Sequence, residues 1–234
     1  MWDEVRARLV PERRVVVVDL RGHGRSLPVR GGFGLEQQAD DVRMVLEQLD
    51  LSDAVLVGHS GGGYAALAFA VRFPEVARAR VRGIVTVGTS GALMSLRERM
   101  ILRFSASRAF YVLFGIGPLG RLLVRVGAFG TRPDSALVEA TRAMAIECSR
   151  TTKAGWVRAI SGTSQEEAIR DLVIPLIAAT GSRDATVPTR RVEVLAGNAP
   201  QGAWVTIDGC GHMAPVEDPA AVAELILAVS ARSE

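Results

Sequence analysis

Lysine is almost absent: Lys153 is the only one, so the formal net charge of +3 rests on arginine. The arginines are scattered, with no basic run longer than a pair such as Arg13-Arg14 or Arg190-Arg191 and no aromatic residues interleaved among them. That pattern describes a solvated basic surface and argues against nucleic acid as a partner. Cysteine is nearly as scarce. Cys148 and Cys210 stand far apart, in no C-x-x-C or cysteine–histidine ligand spacing, which excludes a disulfide framework and a structural zinc site. No metal and no cofactor is expected. Long apolar runs are missing too, since the most apolar stretch, residues 110–130, is interrupted by Arg121 and Arg125 and by Gly115, Gly117, Gly120 and Gly127. It reads as a helical lid with an apolar inner face, not as a membrane span. No signal-peptide pattern opens the chain, and a cytoplasmic location is the expectation. Only three histidines are present, so candidates for a catalytic base are few.

What is there suits one globular domain carrying an insertion: 234 residues, 48% hydrophobic and 23% charged. Residues 15–20 open with four consecutive valines, and the lack of alternation predicts a strand buried on both faces. Residues 54–57, 84–87 and 176–179 behave alike, with 203–207 a weaker fifth run. Helical periodicity falls between them, over 35–49, 61–73, 190–196 and 220–229. Strand alternating with helix predicts an α/β fold, a doubly wound and mostly parallel sheet. Residues 91–164 break that alternation with helical periodicity and no strand, over a length too great for a loop. They read as a helical cap inserted into a core made of 1–90 and 165–234, at the carboxyl edge where such sheets bind ligands. Phe104, Phe110, Phe114 and Phe129 fall at helical spacing there, which suits cap core before pocket wall.

Ser60 lies at the centre of Gly58-His59-Ser60-Gly61-Gly62, between an apolar run and a run of small residues. This is the pattern of a nucleophile elbow, a sharp strand-to-helix turn that holds its serine at positive φ. Residues two before and two after must lack bulk, as Gly58 and Gly62 do. The following helix would aim its first amides, Gly61 foremost, at negative charge developing on a substrate oxygen.

A serine hydroxyl needs a base, and the base an orienting acid. His59 adjoins Ser60, and neighbouring side chains at such a turn diverge. His23, in the tight turn Arg21-Gly22-His23-Gly24, suits a role in pinning that turn. His212 remains, in the glycine-rich loop 209–215 directly after the last strand. Asp184 occupies the equivalent loop after the preceding strand, where its carboxylate would fix the imidazole tautomer. Its structural alternative is a helix cap, for which Thr189 is better placed. Asp208 at a strand end, Asp171 before a strand, and Glu217-Asp218-Pro219, a helix start with Asp218 as N-cap, compete less well.

The chain order Ser60, Asp184, His212 resembles that of the α/β-hydrolase fold superfamily. Asp19 to Ser26 is similar to its turn after the fourth strand, Gly58 to Gly62 to its elbow, Gly181 to Asp184 to its acid loop, and Gly211 to Pro219 to its histidine loop. The resemblance spans the chain and implies the fold and the triad, while the same frame hosts many chemistries. It also implies a hairpin, a strand and a His-Gly oxyanion loop ahead of the region that begins here at Met1. Met1 is therefore expected to be an internal start in an N-terminally truncated chain, with the 15–18 valine run left short of a ladder partner. Gly61 would then be the one oxyanion donor in hand, and a missing donor typically costs about 10²–10³ in turnover, roughly 3–4 kcal/mol.

A serine nucleophile argues against the aspartate chemistry of haloalkane dehalogenases and epoxide hydrolases that the resemblance also brings in. The expected function is hydrolysis of a small or medium apolar carboxylic ester, lactone or thioester through an acyl-enzyme on Ser60. Hydrolysis is expected to rise with pH through the histidine titration, around pH 6 to 7. Carbon–carbon bond hydrolysis, cofactor-free haloperoxidation and acyl transfer share the frame, and no residue selects among them. An alternative of another class is a non-catalytic binding protein on the same fold. Nothing in the sequence selects an oligomeric state.

Overall fold

The computed structural model describes residues 1–27, 32–91, 95–131, 133–161 and 164–231, apart from the side chain of Arg97. Residues 92–94, 132 and 162–163 of the expected insertion, and 28–31 and 232–234 of the expected core, lie outside the described residues.

The chain opens with α1 (Asp3–Leu9) and α2 (Leu35–Gln48), then forms β1 (Ala54–His59), α3 (Gly61–Arg72), α4 (Pro74–Arg80) and β2 (Val81–Val87). Five helices follow without an intervening strand among the described residues: α5 (Leu96–Ser105), α6 (Arg108–Gly115), α7 (Gly117–Ala128), α8 (Ser135–Glu147) and α9 (Arg150–Ser161). The alternation then resumes with β3 (Leu176–Gly181), α10 (Thr189–Asn198), β4 (Gly202–Ile207), the single turn α11 (Ala214–Glu217) and α12 (Pro219–Ser230). The four strands form one parallel sheet in the order β1-β2-β3-β4.

The period-two alternation of a strand divides the core into two layers. From β2 and β3, Ile84, Leu176 and Ala178 meet α2, α3 and α10 through Leu46, Leu67, Phe69 and Leu195. Val85, Val87, Ile177 and Ala179 point the other way and meet α1 and α12 through Val5, Leu9, Val222 and Val229. Each such large side chain taken fully out of water contributes about 1.5–3 kcal/mol. Helices on both faces make the sheet doubly wound.

Residues 15–20 depart from expectation. They pair with no strand among the described residues, and Val16, Val17 and Val18 are 37%, 51% and 50% exposed. Valine-rich composition suits a pleated, buried surface, yet a strand exists only where a neighbouring strand accepts its hydrogen bonds. Local capping also needs one correction. Asp218 caps α12 by accepting from the Ala221 amide at 2.9 Å, as expected. Thr189, by contrast, is the first residue of α10, preceded at the cap by Pro188 without a side-chain bond.

Candidate active site

β1 ends at His59 and α3 begins at Gly61, so Ser60 alone makes the turn, with φ 49° and ψ −114°. Positive φ costs a non-glycine residue conformational energy, and surrounding bonds hold it there. The Ser60 amide donates to Val87 O at 2.8 Å, and Thr89 Oγ1 donates to Ser60 O at 2.9 Å. A β-carbon on Gly58 would lie 2.4 Å from the Gly62 carbonyl and the Gly63 nitrogen. At Gly62, however, a β-carbon would meet only Leu20, at 3.9 Å, whereas at Gly63 it would lie 2.2 Å from Thr89 Oγ1. The second crowded position of the elbow is therefore Gly63, one residue later than expected. The amides of Gly61 and Gly62, at the first turn of α3, have no acceptor among the described residues.

The loops after β3 and β4 bring Asp184 and His212 together. His212 Nδ1–H donates to Asp184 Oδ2 at 2.8 Å, with the Asp184 side chain 1% exposed. The other carboxylate oxygen accepts from the Thr186 and Val187 amides, each at 2.8 Å, and Thr180 Oγ1 donates to Oδ2 at 3.3 Å. Burial alone would raise the Asp184 pKa, but the His212 bond and charge together with the two amides outweigh it and hold the carboxyl below its ordinary value. An ionised Asp184 fixes the proton of His212 on Nδ1 and leaves Nε2 as the basic atom. Gly88, at φ 62°, joins this pair to the end of β2, since a β-carbon there would lie 3.0 Å from the His212 ring and 3.4 Å from Asp184 Oδ2. Ser60 Oγ itself makes no hydrogen bond among the described residues; bonds of this kind often close only around substrate.

The remaining candidates are placed otherwise. His59 makes no hydrogen bond to Ser60 among the described residues, and its Nε2–H donates to His212 O at 2.8 Å. Burial drives its pKa down to about 3, the neighbouring His212 adding to the effect, so the ring is neutral. His23 lies in its turn with Nδ1 3.2 Å from Arg21 O, edge-on to Trp156. Asp208 accepts from Ser182 Oγ, and Asp171 ends a short 3-10 turn. Phe110 stacks on Phe114 at 3.9 Å and meets Phe104 edge-on, while Phe129 is buried with Val124, Val138 and Met213. Among the described residues no group of histidine, cysteine, aspartate and glutamate side chains is arranged to hold a metal, and both cysteines are free.

Two residues at the site take roles that the sequence did not assign to them. Trp156 of α9 covers the start of α3, its ring 3.1 Å from where a Gly61 β-carbon would be. Glu217 accepts from the Gly211 amide at 2.8 Å and from the Gly130 amide at 2.7 Å, tying the His212 loop to the segment after α7. Burial raises its pKa against those two bonds.

The sequence profile of the alpha/beta hydrolase family matches residues 1–225. The chain belongs to that family. Over 229 residues it is 28% identical to the 2-hydroxymuconate semialdehyde hydrolase of Pseudomonas sp. (strain CF600), covering 96% of this chain and 79% of that protein. It is 26% identical to the pimeloyl-[acyl-carrier protein] methyl ester esterase of Yersinia enterocolitica, over 97% of this chain and 86% of the relative. Among solved structures it is similar to a thermophilic esterase from Thermogutta terrifontis, with a TM-score of 0.80, 28% identity, and coverage of 97% and 83%. These family relatives are hydrolases, and the α/β-hydrolase fold inferred from the elbow and loop motifs is the fold observed.

Proposed function

We propose that the chain is a serine hydrolase that cleaves a small or medium apolar carboxylic ester, lactone or thioester, with Ser60, His212 and Asp184 as its triad. The observation that carries this reading is the buried Asp184–His212 hydrogen bond, set in the loops beside a positive-φ serine. His212 Nε2 takes the Ser60 proton as Oγ bonds to the carbonyl carbon. The carbonyl oxygen becomes an oxyanion that accepts from the free Gly61 amide. The intermediate then collapses, its bond to the alkoxide or thiolate breaks, and His212 returns the proton to that leaving group. Water attacks the acyl-enzyme in the same way, gives a proton to His212, and releases the acid with Ser60 restored. Asp184 stays ionised throughout and steadies the imidazolium.

Residues 91–164 act in this reading as a cap over the core of 1–90 and 165–234, with Trp156 as its contact at the oxyanion site. The substrate is a small apolar acyl compound, and no metal or cofactor takes part. An organophosphonate probe tests the assignment: it should label Ser60, as located by peptide mass, and leave Ser60→Ala unlabelled. No labelling of the wild-type chain would favour a non-catalytic binding protein on this fold. A second reading of substrate is favoured by the Pseudomonas relative, whose name specifies hydrolysis of 2-hydroxymuconate semialdehyde. Parallel turnover assays with p-nitrophenyl esters and that semialdehyde separate the two classes.

A further inference from the structure

The cap helices differ in charge from the rest of the molecule. Residues 91–133 hold seven arginines and a single acid, Glu98, a net of +6, whereas the whole chain is +3; everything outside the segment is therefore net −3. Glu98 is already engaged, capping α5 with Ser95 and pairing with Arg191 at 3.0 Å. Arg99, Arg103, Arg108 and Arg125 are exposed and have no ion pair among the described residues.

The same helices carry large apolar side chains in water. On α5, Leu96, Met100 and Phe104 recur every four residues, with Leu96 67% and Met100 62% exposed. Val112 on α6 and Ile116 just after it repeat that spacing, as do Leu122 and Val126 on α7, the last 71% exposed. α5 meets α6 through Phe104 against Phe110, and α6 packs on α7. No single helix here is long and apolar enough to cross a membrane; α6 and α7 reach that apolarity only together, bent by 109°. Helices with outward apolar ridges and flanking arginines are suited to lie along a bilayer surface, with aliphatic groups in the acyl boundary and guanidiniums at the headgroups.

We infer that α5, α6 and α7 form a docking face for an anionic phospholipid bilayer. A second copy of the chain is a poorer occupant, because a two-fold contact would set the +6 segment against itself. Nucleic acid is poorer still, because the ridges are mainly aliphatic and offer little to stack on bases.

Sedimentation of the full chain with lipid vesicles tests the inference. Partition onto phosphatidylcholine vesicles containing about one-third phosphatidylglycerol should exceed that onto phosphatidylcholine alone by at least about tenfold, since each arginine near such a surface is worth roughly fivefold. It should fall several-fold in about 0.5 M salt, where the Debye length shrinks well below about 8 Å. Arg99→Gln/Arg103→Gln should lower binding about 25-fold and Leu122→Gln/Val126→Gln about tenfold, all at exposed positions, with unchanged circular dichroism and melting temperature. Equal partition onto the two vesicles, no partition, or a solution dimer that Leu122→Gln/Val126→Gln dissociates in place of vesicle binding would overturn it.

Discussion

Acidification should destabilise the protein through His59, a residue outside the proposed triad. In the folded chain the half-buried His59 imidazole, at the end of β1, has its pKa pushed down to about 3 by desolvation, against 6.5 for the free side chain. A depressed folded pKa means that the unfolded chain takes up the proton first. The stability contributed by neutral His59 is therefore complete above the unfolded value and is lost as pH falls toward 3. At about pH 7.5 both states are neutral and the contribution is intact. At about pH 5 the unfolded imidazole is charged and the folded one is not, which costs about 2 kcal/mol at 1.36 kcal/mol per unit. Because pH 5 lies well above the folded value, the unfolded imidazole alone sets that magnitude. For a chain of this length the loss corresponds to roughly 4–8 °C in melting temperature. The comparison is with His59→Gln, whose side-chain amide can still donate to His212 O but does not titrate. Urea unfolding of both proteins at the two pH values should show the wild type losing about 2 kcal/mol more than the variant. Equal losses would refute the assignment of a half-buried, neutral His59 beneath the His212 loop.

Three further outcomes are expected. Asp184→Asn should leave the fold in place and lower kcat by about 10³–10⁴, because the amide cannot hold the Nδ1–H tautomer of His212; stopped-flow acylation measures it, and a loss under tenfold would remove Asp184 from the relay. Gly63→Ala should cost about 1–3 kcal/mol by forcing a methyl against Thr89, with part recovered by Thr89→Ala in a double-mutant cycle; strict additivity would show that the clash lies elsewhere. Glu217→Gln should cost about 1–3 kcal/mol, because the carboxamide NH₂ faces an amide donor and leaves Gly211 or Gly130 without an acceptor. Thermal melts at neutral pH measure that loss, and an unchanged midpoint would contradict the bridging role.

The elbow and the Asp184 and His212 loops were legible in the sequence because each depends on local backbone chemistry: glycines beside a turning serine, and polar residues in loops that follow apolar runs. Their meeting also followed from chain order, since consecutive parallel strands deliver their carboxyl ends to one edge. Trp156 and Glu217 were not legible. Their roles depend on distances across the cap and core that no spacing encodes, and a tryptophan on a helix or a glutamate ending a single helical turn has no local mark of what it touches. The reading of Gly62 was displaced by one residue because the obstacle, Thr89, comes from beyond β2. The strand expected at residues 15–20 does not form among the described residues, although the same run was expected to be short of a ladder partner. Their composition describes a strand, but pairing is a property of two segments and composition describes one.

The open side of β1 has a mechanical consequence for the site. In a parallel strand alternate residues bond to opposite neighbours, and the Ser60 amide bonds to β2. The amides of Val55, Val57 and His59 therefore face the side where no strand pairs among the described residues. Ser60 hangs from β1, one edge of the described sheet, Asp184 follows β3 and His212 follows β4, so β2 is the described rung that holds nucleophile and relay in register. Detachment of β1 from β2 would be a local opening that disarms the serine while the Asp184–His212 pair survives. Amide hydrogen exchange would show it as β1 losing protection ahead of β3 and β4, a protein with its core intact and its nucleophile out of position.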